Sequence, residues 1–270
     1  MAVIPQIAFI GGGAMGEALV RGILAKKIVP ANEILISDPL AKRREYLAGE
    51  FGVQVTSDNL ACLQAQLVIL AVKPNNLKAV LTRLGNNWPA ETTLVSILAG
   101  ITLDQIAHFL PEAAPIIRVM PNTPSLIGMG MSGLVANEHT TNDQKFLAIQ
   151  LFEAVGDVVE VPEDYFDAVT GLSGSGPAYI FLMIEALIEA GVYQGLPRRI
   201  ARQLVLQTII GASTMVKETG KHPADLKEQV TSPGGTTASG LGVLEAAALR
   251  SILIQAVDAA TQKSKALSGG

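Results

Sequence analysis

Gly11, Gly13 and Gly16 stand in a G-x-G-x-x-G spacing directly after the short apolar run Ile7-Ala8-Phe9-Ile10. Glycine at these places frees the backbone for a tight turn, lets it approach a bulky anion and lets the next helix pack closely on the strand. A helix-forming stretch, Glu17 to Leu24, follows, and the open N–H groups at such a helix start bind phosphate. Taken alone the glycine pattern is a weak signal. Here a second apolar run, Glu33 to Ser37, leads to Asp38 about 20 residues beyond Gly16, where an acidic side chain reaches an adenine ribose. The chemistry these residues support is the binding of a dinucleotide, its pyrophosphate on the turn from Gly11 to Gly16 and the helix start after it, its adenine ribose at Asp38.

Three further segments end apolar runs with small or polar residues: Leu70-Ala71-Val72-Lys73-Pro74, Ser96-Ile97-Leu98-Ala99-Gly100 and Arg118-Val119-Met120-Pro121-Asn122-Thr123-Pro124. Singly, each reads as a strand closed by proline or glycine with one solvated polar residue. Beside the opening fingerprint they form a rim on which a nicotinamide lies, because ligands of open α/β sheets bind beyond the carboxyl ends of the strands.

The second half offers two hydroxyl- and glycine-rich turns before helices, Gly171–Ala178 and Thr231–Thr237. Amides and hydroxyls converging at a helix start suit a small carboxylate or a phosphate. Ser175 reads equally well as an ordinary N-cap. Ser232, Gly234, Gly235, Thr236 and Thr237 together exceed what capping requires. No strong acid or base accompanies them: His108, His139 and His222 lie apart in sequence, and Pro177 to Leu182 contain no lysine. Oxidising an alcohol requires a base, and β-hydroxyacid dehydrogenases place a lysine early in the matching helix. Reducing a C=N bond requires mainly that an electrophilic iminium be held beneath a hydride.

The elements that must position these residues fall into two halves. Strand patterns at Ile7–Ile10, Ile34–Ser37, Val53–Val55, Leu67–Ala71, Thr93–Ile97, Ile116–Met120 and Gly133–Ala136 alternate with helical ones such as Ala41–Phe51, Asn76–Leu84 and Leu103–Phe109. This alternation predicts a doubly wound, mostly parallel α/β sheet of Rossmann type. From about Pro162 the strand patterns stop. Helices are predicted from Pro177 to about Ala190 with Gly191 as the stop, from Pro197 to about Glu218 with Gly220 just beyond, from Pro223, and from Thr236-Thr237 to about Lys265. The expected division is a dinucleotide-binding domain over 1–162 and an all-α domain, for dimerisation and substrate binding, over 163–270.

The 270 residues are 49% hydrophobic and 16% charged, with apolar residues nearly all round the later helices. No uninterrupted apolar run reaches the ~20 residues of a membrane span, and Glu185 and Glu189 interrupt the greasiest segment. Burial between subunits is the expected use of the excess apolar surface. A net charge of −4 with no basic cluster argues against nucleic acid. Cys62, the single cysteine, excludes an internal disulfide, and no metal-ligand spacing exists. The opening residues lack a basic segment leading into an apolar run, so no export signal and a cytoplasmic location are expected.

These residues resemble the pyrroline-5-carboxylate reductases over essentially the whole chain. The resemblance is carried by Phe9–Gly16, Ala71–Pro74, Arg118–Pro124, Gly171–Tyr179 and above all Leu226-Lys227-Glu228-Gln229-Val230-Thr231-Ser232-Pro233-Gly234-Gly235-Thr236-Thr237. It implies reduction of 1-pyrroline-5-carboxylate to L-proline, with the substrate between the two domains and completed by a partner subunit. It implies that Ile10 to Met15, Asn59, Val72, Lys73 and Ala99 contact the cofactor. Glu163, Gln229, Thr236 and Thr237 would line the substrate pocket, with Ser232 and the Gly234-Gly235 backbone on the substrate carboxylate and Thr237 as hydrogen-bond partner or proton donor to the ring nitrogen. It also implies a homodimer, with further assembly of dimers. The cofactor stays open at this point: Asp38 favours NADH, Ser37 with Arg43 or Arg44 favours a 2′-phosphate, and the resemblance leans to NADPH with NADH tolerated. Two other readings compete: an alcohol-oxidising β-hydroxyacid dehydrogenase-like enzyme, and a non-catalytic dinucleotide sensor.

Overall fold

The computed structural model describes residues 6–269. By its contacts the chain divides into two compact units: one holds the chain up to Ser175 with the segment from Ala259, the other holds Gly176–Asp258.

The first unit is built on an eight-stranded sheet. Its strands are β1 (Ile7–Ile10), β2 (Ile34–Ser37), β3 (Gln54–Thr56), β4 (Leu67–Leu70), β5 (Thr93–Ser96), β6 (Ile116–Pro121), β7 (Gly130–Ala136) and β8 (Gly156–Glu160). They lie in the order β3-β2-β1-β4-β5-β6-β7-β8. Every neighbouring pair is parallel except β6–β7, so the predicted mostly parallel sheet is present with its last two strands reversed. Strands β1, β2, β4 and β5 are buried at every position, as expected where helices cover both faces. Along β1 the side chains alternate between two cores. Ile7 and Phe9 pack with Leu19, Ile23, Leu151 and Phe152 of helices α1 (Ala14–Ala25) and α5 (Asn142–Glu153). Ala8 and Ile10 face Leu81, Leu84 and Ile106 of α3 (Leu77–Gly85) and α4 (Leu103–Ala107). Between β2 and β3 runs α2 (Ala41–Phe51). Each of these large side chains contributes about 1.5–3 kcal/mol by leaving water.

Two elements here were not foreseen. Helix α5 opens with a reciprocal capping box between Thr141 and Gln144, a T-x-x-Q signal present in the sequence. Strand β8 has only Val158 and Val159 as adjacent β-formers, and its pairing rests on Gly156. A Cβ there would meet the Gly130 carbonyl oxygen, and φ is +155°.

Cys62 is fully buried beneath β1, and burial pushes its thiol up to about 12. At pH 8 the native protein is therefore expected to resist a disulfide-exchange reagent and to react with one equivalent only after denaturant is added. Prompt reaction of the folded protein would show this core to be open.

After the short helix α6 (Phe166–Val169) and a π-helical turn at Thr170–Gly174, the second unit holds α7 (Gly176–Tyr193), α8 (Arg198–Thr219), α9 (Pro223–Gln229) and α10 (Thr236–Ala246), followed by α11 (Leu249–Ser268), which begins in it. Helix α7 does not stop at Gly191. That glycine is interior because a Cβ there would lie 2.9 Å from the Ala201 Cβ of α8, and the chain turns instead at Gly195, with φ +93°. The last predicted helix is two helices, broken where Ala248 adopts φ +55° and bent by 50°. Arg250 bridges the break with a bidentate pair to Glu245. Many apolar side chains of this unit are exposed, among them Phe181, Leu182, Leu187, Leu204, Ile210 and Ile254. The 31-residue helical stretch 163–193 is long and apolar enough to cross a membrane by length and composition, although no uninterrupted apolar run does so.

Candidate cofactor and substrate site

The fingerprint glycines form the turn that joins β1 to α1. Gly11 has φ +104°, and a Cβ on it would sit 2.6 Å from the Ala71 carbonyl oxygen at the end of β4. Only glycine fits such a backbone. A Cβ on Gly16 would lie 2.8 Å from the Gly11 carbonyl oxygen, so α1 starts hard against the strand. Gly13, by contrast, is exposed with nothing within 4 Å of a Cβ. It is the N-cap of α1, and no side chain caps that first turn. Open amides, the positive end of a helix and a cleared surface at Gly13, Ala14 and Met15 fit a pyrophosphate.

Side chains from β2 and α2 hold this turn in shape. The Gly12 amide donates to Asp38 Oδ2 at 3.0 Å, and the Leu40 amide donates to Asp38 Oδ1 at 2.9 Å. Arg43 donates through Nε to the Gly12 carbonyl and through Nη2 to Glu17 at 2.5 Å. Burial raises the Glu17 carboxyl, but hydrogen bonds from Arg43, Arg21 and Tyr46 outweigh it and hold the group below its ordinary range. Sequence reasoning offered Arg43 as a phosphate ligand; its fork is occupied by the turn and by Glu17.

The carboxyl ends of the parallel strands β1, β2, β4, β5 and β6 share one edge of the sheet, and most of the expected cofactor residues lie along it. The Ser37 hydroxyl donates to Asn59 Oδ1 at 2.6 Å. Ala71 and Val72 are half-buried, Lys73 and Pro74 exposed, and Ala99 exposed beside Gly100, whose φ is +72°. Asn122, following β6, donates to the Ser173 carbonyl and accepts from the Met131 amide. It thereby ties the Pro-Asn-Thr-Pro segment to the Gly171–Ser175 turn.

Glu163 belongs to the first unit. Its Oε1 accepts from the Leu103 amide at 2.7 Å and from Arg118 Nη1 at 3.0 Å. The Arg118 side chain is only 4% exposed, and its guanidinium lies 4.4 Å from the centre of the Phe166 ring. Burial lowers Arg118 from its ordinary value while Glu163 pulls the other way. From sequence, Arg118 is read only as the opening of the third strand-end segment, without a partner. The signal against that was a lone charge in Ile-Ile-Arg-Val-Met, since a charge in a buried strand requires a partner.

The remaining residues lie in the second unit. Gln229 ends α9 and is exposed. The chain turns at Ser232, whose carbonyl accepts from the Gly235 amide at 3.0 Å. Gly234 has φ +68°. A Cβ on Gly235 would lie 2.4 Å from Ser232 Oγ, so the hydroxyl is folded against that glycine. Gly235 is the N-cap of α10 without a side-chain cap, and Thr236 and Thr237 form its first turn. The arrangement gathers open amides and hydroxyls at the positive end of an 11-residue helix, which suits a small carboxylate.

A doubly wound sheet with a glycine-fingerprint cradle and a separate helical unit bearing an anion turn defines a nicotinamide-dinucleotide oxidoreductase. Residues 163–267 match the family model for pyrroline-5-carboxylate reductase dimerisation, and residues 6–100 match that for NADP oxidoreductase, coenzyme F420-dependent. The pyrroline-5-carboxylate reductase of Synechocystis is 48% identical, covering 97% of this chain and 98% of that protein. That of Methanosarcina acetivorans is 41% identical over 97% of each. Among solved structures, the Coxiella burnetii reductase superposes with a TM-score of 0.92 at 40% identity, covering 98% and 99% of the chains. The Plasmodium falciparum enzyme with NADP bound gives 0.88 at 34% identity, covering 99% of each. The chain belongs to the pyrroline-5-carboxylate reductase family.

Proposed function

We infer that this chain reduces 1-pyrroline-5-carboxylate to L-proline with NADPH, and with NADH less well. The observation that carries the reading is the Ser232–Thr237 turn, intact in a chain that also keeps the whole dinucleotide cradle. The bound reduced nicotinamide supplies a hydride to the imine carbon. The Gly11–Met15 turn and the first amides of α1 hold the pyrophosphate, while Val72, Lys73 and Ala99 contact the nicotinamide half. Ser232 and the Gly234-Gly235 backbone hold the substrate carboxylate, with Gln229 and Thr236 beside it. Thr237 donates a hydrogen bond to the ring nitrogen and passes it a proton as the C=N bond is reduced, its hydroxyl taking a replacement proton from water. Rate enhancement comes chiefly from orientation and from fixed N–H donors.

Replacing Thr237 by alanine is expected to lower kcat by about 100-fold, the lower end of what a positioned proton donor supplies, while dinucleotide affinity changes less than about twofold. Unchanged steady-state rates would remove Thr237 from the chemistry. The activity itself is tested by following NADPH oxidation with 1-pyrroline-5-carboxylate, beside NADP reduction with a 3-hydroxy acid. Turnover only in the second assay marks an alcohol dehydrogenase, and turnover in neither marks a sensor.

The exposed apolar faces of α7, α8 and α11 are read as covered by a second copy of the chain, giving a homodimer in the cytoplasm. Assembly of such dimers into a higher oligomer is proposed as well.

A further inference from the structure

We infer that Arg44 sets a preference for the 2′-phosphorylated dinucleotide, and that Asp38, whose charge argues for the bare ribose, acts instead as a brace of the glycine turn. This rests on the dinucleotide-dependent reading above. In open sheets of this kind the adenine ribose lies beyond the carboxyl end of the second strand, here the Asp38-Pro39-Leu40 connection from β2 to α2.

Asp38 in that connection and Arg44 in the first turn of α2 are held differently. Asp38 is 9% exposed, and each carboxylate oxygen already accepts a backbone N–H, from Gly12 and from Leu40. Its negative charge is shared with two amide dipoles. Arg44 is half-buried, and its Nη1 donates to the carbonyls of Asp38 at 2.7 Å and Pro39 at 3.0 Å. Its Nε and Nη2 make no hydrogen bond, and it forms no ion pair, among the described residues. Arg43, one residue earlier, is engaged by Glu17 and by the Gly12 carbonyl. Of the two arginines beside the connection, Arg44 is therefore the one without a carboxylate partner among the described residues, fixed through one nitrogen with the rest of its fork free. A planar guanidinium fork matches phosphate geometry. The first turn of α2 carries Lys42, Arg43 and Arg44 and no acid, an arrangement opposed by the helix dipole and relieved by an anion on the connection.

The test titrates the intact wild-type protein, Arg44→Gln, Arg44→Lys and Asp38→Asn with NADP+, NAD+, 2′,5′-ADP and 5′-AMP by calorimetry. Arg44→Gln is expected to weaken NADP+ and 2′,5′-ADP by about tenfold or more, the scale of a lost charge-assisted contact, and to leave NAD+ and 5′-AMP within about threefold. Arg44→Lys should recover part of the loss. Asp38→Asn should weaken NADP+ and NAD+ in parallel, as a brace does. Equal losses for NADP+ and NAD+ in Arg44→Gln, or unchanged 2′,5′-ADP affinity, overturn the role of Arg44 and leave the dinucleotide reading standing. A rise in NADP+ over NAD+ affinity in Asp38→Asn returns discrimination to the carboxylate and overturns the brace. Wild-type protein that binds none of the four ligands overturns the dinucleotide reading itself, and this inference with it.

Discussion

Replacing Gly11 by alanine is expected to weaken NADPH and NADH together by about a hundredfold or more, equivalent to ~2.7 kcal/mol. Two independent penalties act at this position. An alanine at φ +104° occupies backbone space that L-residues rarely adopt, at a cost of about 1–3 kcal/mol. Its Cβ would also stand 2.6 Å from the Ala71 carbonyl oxygen, a backbone atom that cannot rotate away. Either the turn or the end of β4 must move, and both carry residues assigned to the cofactor. Fluorescence titration with each reduced dinucleotide reads the effect. Circular dichroism should show the fold retained, because the residue pairs of β1 with β2 and β4 all precede the turn, with the Gly11 amide adding one bond to the Ser37 carbonyl beyond them. Gly13→Ala is the useful companion: nothing lies within 4 Å of its Cβ, so it should leave stability unchanged and obstruct only the ligand. A Gly11→Ala protein that binds both dinucleotides like wild type would sink the assignment of this turn.

The second large effect concerns stability. Glu163→Ala removes the carboxylate that faces Arg118, whose side chain is 4% exposed. Stranding a buried cation costs about 3–5 kcal/mol; because Glu163 itself is 29% exposed, we place the loss near the lower end, about 3 kcal/mol. That corresponds to a fall in melting midpoint of roughly 6–12 °C for a domain of this size. The Leu103 amide loses its acceptor in the same variant, so the start of α4, a few residues after Ala99, loosens too. Glu163→Gln keeps an acceptor for that amide without the charge and should fall between. The paired change Arg118→Met with Glu163→Leu should recover most of the loss, since an apolar pair of similar volume replaces a buried ion pair at little cost. Scanning calorimetry of the four proteins checks the order; a wild-type midpoint in Glu163→Ala would show that the pair is immaterial.

Much of the first unit was legible because its strands are buried on both faces and therefore read as unbroken apolar runs. Ile7–Ile10 and Ile34–Ser37 fall where the runs fall, and Ala41–Phe51 ends at Gly52, which has φ +67°. The signal fades where tertiary context replaces local pattern. Strand β8 pairs only because Gly156 lets its backbone meet Gly130. Gly191 looks like a helix stop and is instead the place where α8 packs closest. The break at Ala248 lies in a run of alanines that favours continued helix. For the candidate site, the residue types were visible and their hydrogen bonds were not. Nothing in the sequence says that Asp38 turns both oxygens to backbone amides, that Arg43 closes over the Gly12 carbonyl, or that Glu163 serves Arg118. Apart from the bond between Asp38 and Leu40, two residues on, those pairings join positions 26 to 45 residues apart, beyond any periodicity a local reading can use.

The greasy helices of the second unit carry one more consequence. A surface bearing Phe181, Leu182, Leu187 and Ile254 makes the lone subunit an unfinished object, folded in its sheet but unsheltered in its helices. For such a chain, folding and pairing are one equilibrium, and the amount of protein present becomes a variable of its stability. A cell that makes little of it would hold proportionally less of the working form, so catalytic capacity rises more steeply than synthesis.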